Sequence, residues 1–408
     1  MDEIREFLLR EVRRTPDLQN LATACGQAPS RDPPSPATLQ KLRTKLGRLL
    51  GLSKTKVAKR HPASPWFFNI VRSVQQRAKD PDTAVADWLE HGAPFGVALP
   101  VPPGGLLPLV SENASLTPEQ LQHTDEFEKN HGSFDEMVGD TQPAMDELIS
   151  LVDQGFARVF TDKQEAEDWL GAKAIVTPLG NVVKTLADSS RKNRLIQDFR
   201  ASQVNFASIV RERQVLPRFA DHGLDLATLS AFGSSVGVFV LDFKHAFMTI
   251  PLATEEMPYN TSVVPGGLCR SRVALDESEP REGKFLVWRV LGFGGHANPL
   301  VYARVACVAA RTAQALLYHP AEASSIAHGR LQLYVDDPVI ALSGSDQEQQ
   351  EAIDVVIAWW LLLGIPLSWR KGCSKCTRAQ LWKGKGPQKR SKTQILFPAF
   401  YDGFCQFC

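Results

Sequence analysis

The stretch Leu331-Gln-Leu-Tyr-Val-Asp-Asp-Pro-Val-Ile-Ala-Leu342 decides how this chain is read. Two apolar runs rich in strand-forming residues flank an adjacent pair of acids, Asp336 and Asp337. Apolar runs of that length around a polar tip read as a buried β-hairpin. Two carboxylates at such a tip are costly unless cations neutralise them. That cost makes the pair a metal-site candidate. Asp is also a common turn residue, because its side chain satisfies nearby backbone groups. A plain polar turn is therefore the competing reading, and the rest of the chain has to choose.

The chain has 408 residues, 43% of them apolar and 22% charged, enough for two or three domains with a sizeable core. Its formal charge of +1 gives no strong overall field, so affinity for nucleic acid must come from local basic patches. The 7 cysteines are an odd, scattered set and no secretory signal opens the chain, which points to a reducing, intracellular setting. No uninterrupted apolar run reaches the roughly 18 residues that a membrane span needs. The greasiest loop, Pro94 to Val110, is broken by prolines and cannot be a spanning helix.

In the N-terminal part, Met1 to Arg14 and Ala37 to Gly51 carry helical patterns, separated by a Pro-rich linker from Gln27 to Pro36. Lys41 to Arg60 contains eight Lys or Arg and no acid. It reads either as a nucleic-acid contact or as a solvated helix face with a basic loop. In Asp80-Pro-Asp-Thr83, Asp82 or Thr83 is placed to cap the next helix. Gly92 to Glu112 reads as loop, and Asn130 to Asp153 as acidic and helical.

From about Gly155 the pattern changes. Lys173 to Lys184 reads as two short strands around Pro178-Leu-Gly180. Ser190-Arg-Lys-Asn-Arg-Leu-Ile-Gln-Asp-Phe-Arg200 is a basic strand whose alternation puts Lys192 and Arg194 on one face, suited to a triphosphate or a phosphate backbone. A charged edge strand is the competing reading. Val236 to Phe243 is an apolar strand that ends in an acid, Asp242, the usual address of a ligand in an open sheet, or else a cap for the next turn. Another strand, Lys284 to Leu291, leads into Gly292-Phe-Gly-Gly-His-Ala-Asn-Pro299 and a long apolar helix, with Asn298 as its cap. Gly292, Gly294 and Ala297 mimic a dinucleotide fingerprint, but the acid-ended strand required about 20 residues later is missing. Ser345-Asp-Gln-Glu348 is a capping box opening an amphipathic helix that closes at Gly364, followed by a strand-like Ile365 to Lys371.

Three acids on two strands, a basic strand, a Gly-rich loop and a late lysine together specify phosphoryl transfer, with Asp242 and Asp336 holding two Mg²⁺ ions. Asp337, the next residue along the strand, points elsewhere and would support them. In this order the motifs resemble the reverse transcriptase family of retroelement polyproteins, over roughly Gly155 to Gly372. Leu241 to Leu252 is similar to the first palm motif, and Tyr334-Val-Asp-Asp337 to the family's Y-x-D-D signature. Arg194 to Arg200 resembles the fingers motif that grips the incoming triphosphate, Leu291 to Pro299 the palm motif under the nascent base pair, and Leu367 to Gly372 the late palm motif.

The resemblance implies RNA-directed DNA synthesis from a template-primer and deoxynucleoside triphosphates, with Mg²⁺ or Mn²⁺ at Asp242 and Asp336. It also implies substrate contacts at Arg194, Lys192, Lys184 and Gly294, a steric gate at Phe247, and a general acid at Lys371. The fold it implies is α+β, the fingers and palm of a right-hand polymerase with an antiparallel palm sheet. The divisions would be a helical, linker-rich region at 1–150, fingers at 151–232, and palm at 233–372 with a fingers insertion near 253–284. A basic tail would follow at 373–408, the thumb being truncated or absent. Gly292 departs from the family's proline, and His296 and Asn298 are atypical. Cys373, Cys376, Cys405 and Cys408 form two C-x-x-C pairs that read as a zinc site or as incidental cysteines. The competing function is a catalytically silent relict that binds nucleic acid at most, with no membrane role.

Overall fold

Val236 to Val240 and Asp337 to Ser343 are apolar at nearly every position, so their strands need cover on both faces. The computed structural model describes residues 1–21, 34–111, 114–121, 127, 130–135, 142–185, 191–231, 234–269, 282–317 and 328–369. Within them the strands are β1 (Ala157–Phe160), β2 (Leu179–Thr185), β3 (Arg191–Gln197), β4 (Val236–Val240), β5 (Thr261–Cys269), β6 (Glu282–Trp288), β7 (His328–Tyr334) and β8 (Asp337–Ser343). The helices of eight residues or more are α1 (Asp2–Arg14), α2 (Pro36–Leu49), α3 (Phe68–Ala78), α4 (Ala84–His91), α5 (Gln142–Asp153), α6 (Lys163–Leu170), α7 (Phe219–Ser230), α8 (Asn298–Leu317) and α9 (Asp346–Leu363). The strands form three antiparallel sheets, ordered β1-β6-β5, β2-β3 and β4-β8-β7, giving a mixed α+β fold with packed helices.

The β4-β8-β7 sheet alternates between two cores. Phe239, Leu241, Ile340 and Leu342 face the main core, which runs from Ile4 to Leu367 and contains α8 and α9. Val236, Val238, Val240, Val339 and Ala341 face the other way, where Leu226 and Leu229 of α7 cover them. Burial on both sides explains why these strands read as continuous apolar runs rather than as alternating ones.

The capping box opens α9 as expected: Ser345 Oγ accepts from Glu348 N–H, and the Glu348 carboxylate accepts from Ser345 N–H at 2.7 Å. Gly364 closes the helix at φ 94°, where a Cβ would also strike the Pro65 carbonyl. The amphipathic expectation for this helix is corrected. From Ala352 to Leu363 α9 is buried on every side, because the N-terminal helices α1, α2 and α3 wrap the face that would otherwise meet water. Arg43 of α2, itself buried, donates to the Leu361 and Leu362 carbonyls and so satisfies the helix end.

A second weld joins the N-terminal region to α8. Arg304 forks onto Asp82 at 2.7 and 2.6 Å, and Arg311, two turns on, forks onto Asp80 at 2.8 Å with both nitrogens. Asp82 is therefore an ion-pair partner; of the two expected caps the cap position of α4 is Thr83, whose side chain makes no capping hydrogen bond. Nearby, the carboxylate of buried Glu256 accepts from the N–H groups of Phe95, Gly96, Ala98 and Leu99, which folds the loop after α4. Burial pushes this carboxyl above its ordinary value, while four donors with no acceptor among them favour the ionised form.

Three further expectations change. Residues 173–184 give one strand, β2, with Val176 making only an isolated bridge to Thr261. Asn298 does not cap α8; its Nδ2 donates to the Gly292 carbonyl and closes the Gly-rich loop. By length and composition α8 is apolar enough to cross a membrane, but most of it is buried in the protein. Arg304 and Arg311 on this helix are paired with acids, as a core helix requires. Residues 27–33 of the linker, residues 270–281 of the insertion near 253–284, Lys371 and the four tail cysteines lie outside the described residues.

Candidate active site

Asp242 follows β4, where the chain leaves the sheet but keeps its partners. Leu241 N–H donates to the Pro338 carbonyl at 3.1 Å and Phe243 N–H to the Asp336 carbonyl at 2.9 Å. From the other side, Ser368 N–H donates to the Asp242 carbonyl at 3.0 Å and Lys244 N–H to the Pro366 carbonyl at 2.9 Å. Phe243 anchors the segment below, its ring edge-on to Trp360 of α9 at 4.9 Å. Three segments distant in sequence, around 242, 336 and 367, thus meet along one line of hydrogen bonds. All three Asp residues are half-buried.

The hairpin tip is strained. Tyr334 pairs with Asp337, which leaves Val335 and Asp336 as a two-residue turn. Val335 adopts φ 56°, the left-handed region that such turns usually fill with Gly or Asn. A β-branched residue there costs about 1–2 kcal/mol. Strain of this kind persists where the surroundings over-determine the backbone, and here Val335 packs against the main core.

Tyr302 of α8 lies 1% exposed against this site. Burial drives its hydroxyl well above the ordinary phenol value, and the charges of Asp336, Asp242 and Asp337 push it further the same way. One buried phenol therefore senses all three carboxylates. Its ring lies 5.0 Å from that of Phe247, and Phe247 meets Phe293 edge-on at 5.3 Å. Arg194 of β3 stands over Phe293, its guanidinium carbon 5.6 Å from the ring centre. A set of ring contacts thus runs from Tyr302, within the field of the acids, through Phe247 and Phe293 to Arg194.

The β2-β3 hairpin carries the other basic candidates. Its register sets Val182 opposite Arg194 and Lys184 opposite Lys192. Lys184 is exposed, and the side chain of Lys192 lies outside the described residues. Gly294 joins this hairpin to the loop before α8. At φ 113° its backbone approaches β3 so closely that a Cβ would overlap the Gln197 carbonyl oxygen. Phe293 accepts from Gln197 N–H at 3.0 Å, so the glycines let the loop lie on the end of β3. Gly292 has the same explanation: a Cβ there would meet the Gln197 side chain.

Tyr302 and Phe293 were not singled out by the sequence. A lone Tyr in an apolar helix reads as core, and its neighbours belong to distant segments. Sequence reading also gave no role to Asp198, which accepts from Ala201 and Arg200 N–H and from the His131 ring. Burial would raise that carboxyl, but these bonds outweigh it and hold it below its ordinary value.

Asp87, Glu90 and His91 bring ligand atoms within 4.8 Å of one another, a set that could in principle hold a metal. Arg72 already pairs with Asp87 at 2.7 Å and Glu90 at 2.8 Å, and Lys59 reaches Glu90 at 3.4 Å. Burial raises the Glu90 carboxyl, yet Arg72 and Lys59 more than reverse this. The cluster is an ion-pair network with its cations already supplied by the protein.

Residues 184–395, which are 212 of the 408 positions (395 − 184 + 1), match the family described as reverse transcriptase (RNA-dependent DNA polymerase). The chain belongs to this family of polymerase-related domains. No curated protein matches it. Among solved structures it is similar to the foamy viral protease-reverse transcriptase in complex with ds DNA, at 16% identity and a TM-score of 0.40. That likeness covers 68% of this chain, which spans about a third (35%) of the viral chain.

Proposed function

We propose that the chain is a retroelement-derived, RNA-directed DNA polymerase that extends a primer 3′-hydroxyl with deoxynucleotides on an RNA or DNA template. The observation that carries this reading is the line of hydrogen bonds holding the Asp242 segment against the Asp336-Asp337 tip and the 366–368 segment. It supports a division into fingers at 151–232 and palm at 233–372, with the helical region 1–150 packed against the palm.

Asp242 and Asp336 offer hard oxygen donors of the kind Mg²⁺ or Mn²⁺ takes, and the field of all three acids converges on one buried hydroxyl, which fits a doubly charged guest. When bound, such ions supply electrostatic stabilisation of the attacking and leaving oxygens. The protein's own side chains do the rest. Asp337 supports the pair from the adjacent strand position. Arg194, with Lys192 and Lys184, grips the triphosphate, and Phe247 lies beneath the sugar and excludes a 2′-hydroxyl. Gly294 keeps the loop close to β3. The primer 3′-hydroxyl gives up its proton to solvent as its oxygen attacks the α-phosphorus, the bond to the bridging α–β oxygen breaks, and Lys371 gives a proton to the departing pyrophosphate.

Primer extension with purified protein on a homopolymeric RNA template tests this reading. Expected is a Mg²⁺-dependent product that Asp336→Asn reduces by about 10³-fold or more, since the charge acts at the reacting centre. No product from the unaltered chain, or a product that survives Asp336→Asn, removes the polymerase reading and leaves nucleic-acid binding alone to be measured.

A further inference from the structure

The polymerase reading assigns Phe247 to the sugar, yet Phe247 is held by other residues, and how firmly they hold it decides what it can exclude. Its ring is only half-buried and lies between two aromatic neighbours. Phe293 touches it edge-on at 63°, while Tyr302 lies tilted against it at 40°. The two supports differ in kind. Phe293 sits on a glycine-flanked loop, whereas Tyr302 sits on the first turns of α8, the most thoroughly buried position in the aromatic set.

The helix beneath Tyr302 cannot retreat. Two residues along, Arg304 is 3% exposed and forked onto Asp82, and one of its nitrogens also donates to the Pro102 carbonyl. Val301, Val305 and Tyr302 are packed in the main core, so a push on Tyr302 meets closely packed side chains. A ring backed by a wall of this kind keeps one height, and a ring backed by a void tilts. We propose that Tyr302 is a positioning residue that sets the height of Phe247, and through it the discrimination between deoxyribo- and ribonucleotides.

The inference rests on the polymerase reading, and one experiment separates the two. Single-nucleotide extension of an oligo(dG) primer on poly(rC) is measured with dGTP and GTP. The proteins compared are the unaltered chain, Tyr302→Phe, Tyr302→Leu, Phe247→Ala and the Tyr302→Leu/Phe247→Ala double variant. Tyr302→Phe keeps the ring and is expected to hold the dGTP:GTP ratio of kcat/KM within about threefold. Tyr302→Leu removes the wall and is expected to lower the ratio by about tenfold or more, the range that pocket shape controls. The change should appear chiefly as a lower KM for GTP. With the gate already absent in Phe247→Ala, adding Tyr302→Leu should change the ratio less than about twofold, because the two act as one unit.

An unchanged ratio in Tyr302→Leu, or two substitutions whose effects add in full, overturns the inference while the polymerase reading stands. An unaltered chain that incorporates neither nucleotide overturns both. Tyr302→Met, which refills most of the volume with a flexible chain, carries the same comparison if the leucine variant does not fold.

Discussion

Replacing Asp82 by asparagine leaves Arg304 charged, 3% exposed and without its carboxylate. The paired guanidinium makes two short bonds to Asp82, and its next acid is Glu212, whose Oε2 lies 3.8 Å from Nη1. Breaking a buried ion pair on one side costs about 3–5 kcal/mol. Glu212 Oε2 is buried and makes no hydrogen bond, so it can compensate in part and bring the cost toward about 3 kcal/mol. Unfolding entropy of about 2.1 cal/mol/K per residue amounts to roughly 0.9 kcal/mol/K for this chain, so Tm should fall by about 3–4 °C. Scanning calorimetry or thermal circular dichroism measures it. Because Arg304 is two residues from Tyr302, primer extension should fall as well. Arg304→Met with Asp82→Leu removes that pair but takes the cation from buried Glu212 as well, so it should recover only part of the loss. A Tm within 1 °C of the unaltered chain, or a separate early transition that leaves extension untouched, would refute the claim that the N-terminal region is welded to the helix under the site.

Three further outcomes follow from particular geometries. Val335→Gly removes a left-handed strain of about 1–2 kcal/mol and gives up a partly buried side chain of similar worth, so stability should stay within about 1 kcal/mol in urea titration; a loss above about 2 kcal/mol would show that the tip is not strained. Gly294→Ala should cost about 2 kcal/mol or more and raise KM for the nucleotide, because β3 must move off the loop; an unchanged KM contradicts that contact. His61 is lowered to about 4 by burial, then by Arg289 and His91, and its Nδ1 accepts from Ala63 N–H at 3.2 Å. Its folded value lies below the unfolded one near 6.5, so the stability it preserves is complete above pH 6.5 and is lost as pH falls toward 4. The full shift would be worth about 3 kcal/mol, reduced to about 1–2 for a half-exposed ring. His61→Gln should remove that part of the acid slope, and identical slopes would sink the assignment.

What could be read locally was read. The hairpin, the Asp242 strand, the basic strand and the α9 capping box depend on side-chain period and turn chemistry within about ten residues. What failed was set by distant partners. Asp82 has the sequence signature of a cap, yet its partner lies 222 residues away (304 − 82) and leaves no local trace. The apolar face of α9 was visible, but its opposite face is covered by helices from the other end of the chain, so amphipathicity gave the wrong exposure. Asn298 stands where a cap would, and the neighbouring glycine carbonyl takes its side chain. Val335 could have raised an alarm, since a β-branched residue in a two-residue turn conflicts with what that turn favours.

The use of Arg43 as a lid on α9 also bears on how the protein would respond to salt. Of the eight cations between Lys41 and Arg60, Arg43 is buried against backbone carbonyls, and Lys45 and Lys59 are paired with Glu11 and Glu90. Five are left facing solvent without an acid partner: Lys41, Arg48, Lys54, Lys56 and Arg60. Each phosphate neutralised releases about 0.7 counterion from a single strand. This stretch can therefore contribute a log–log slope of affinity against salt no steeper than about −3.5, where the sequence alone would allow about −5.6.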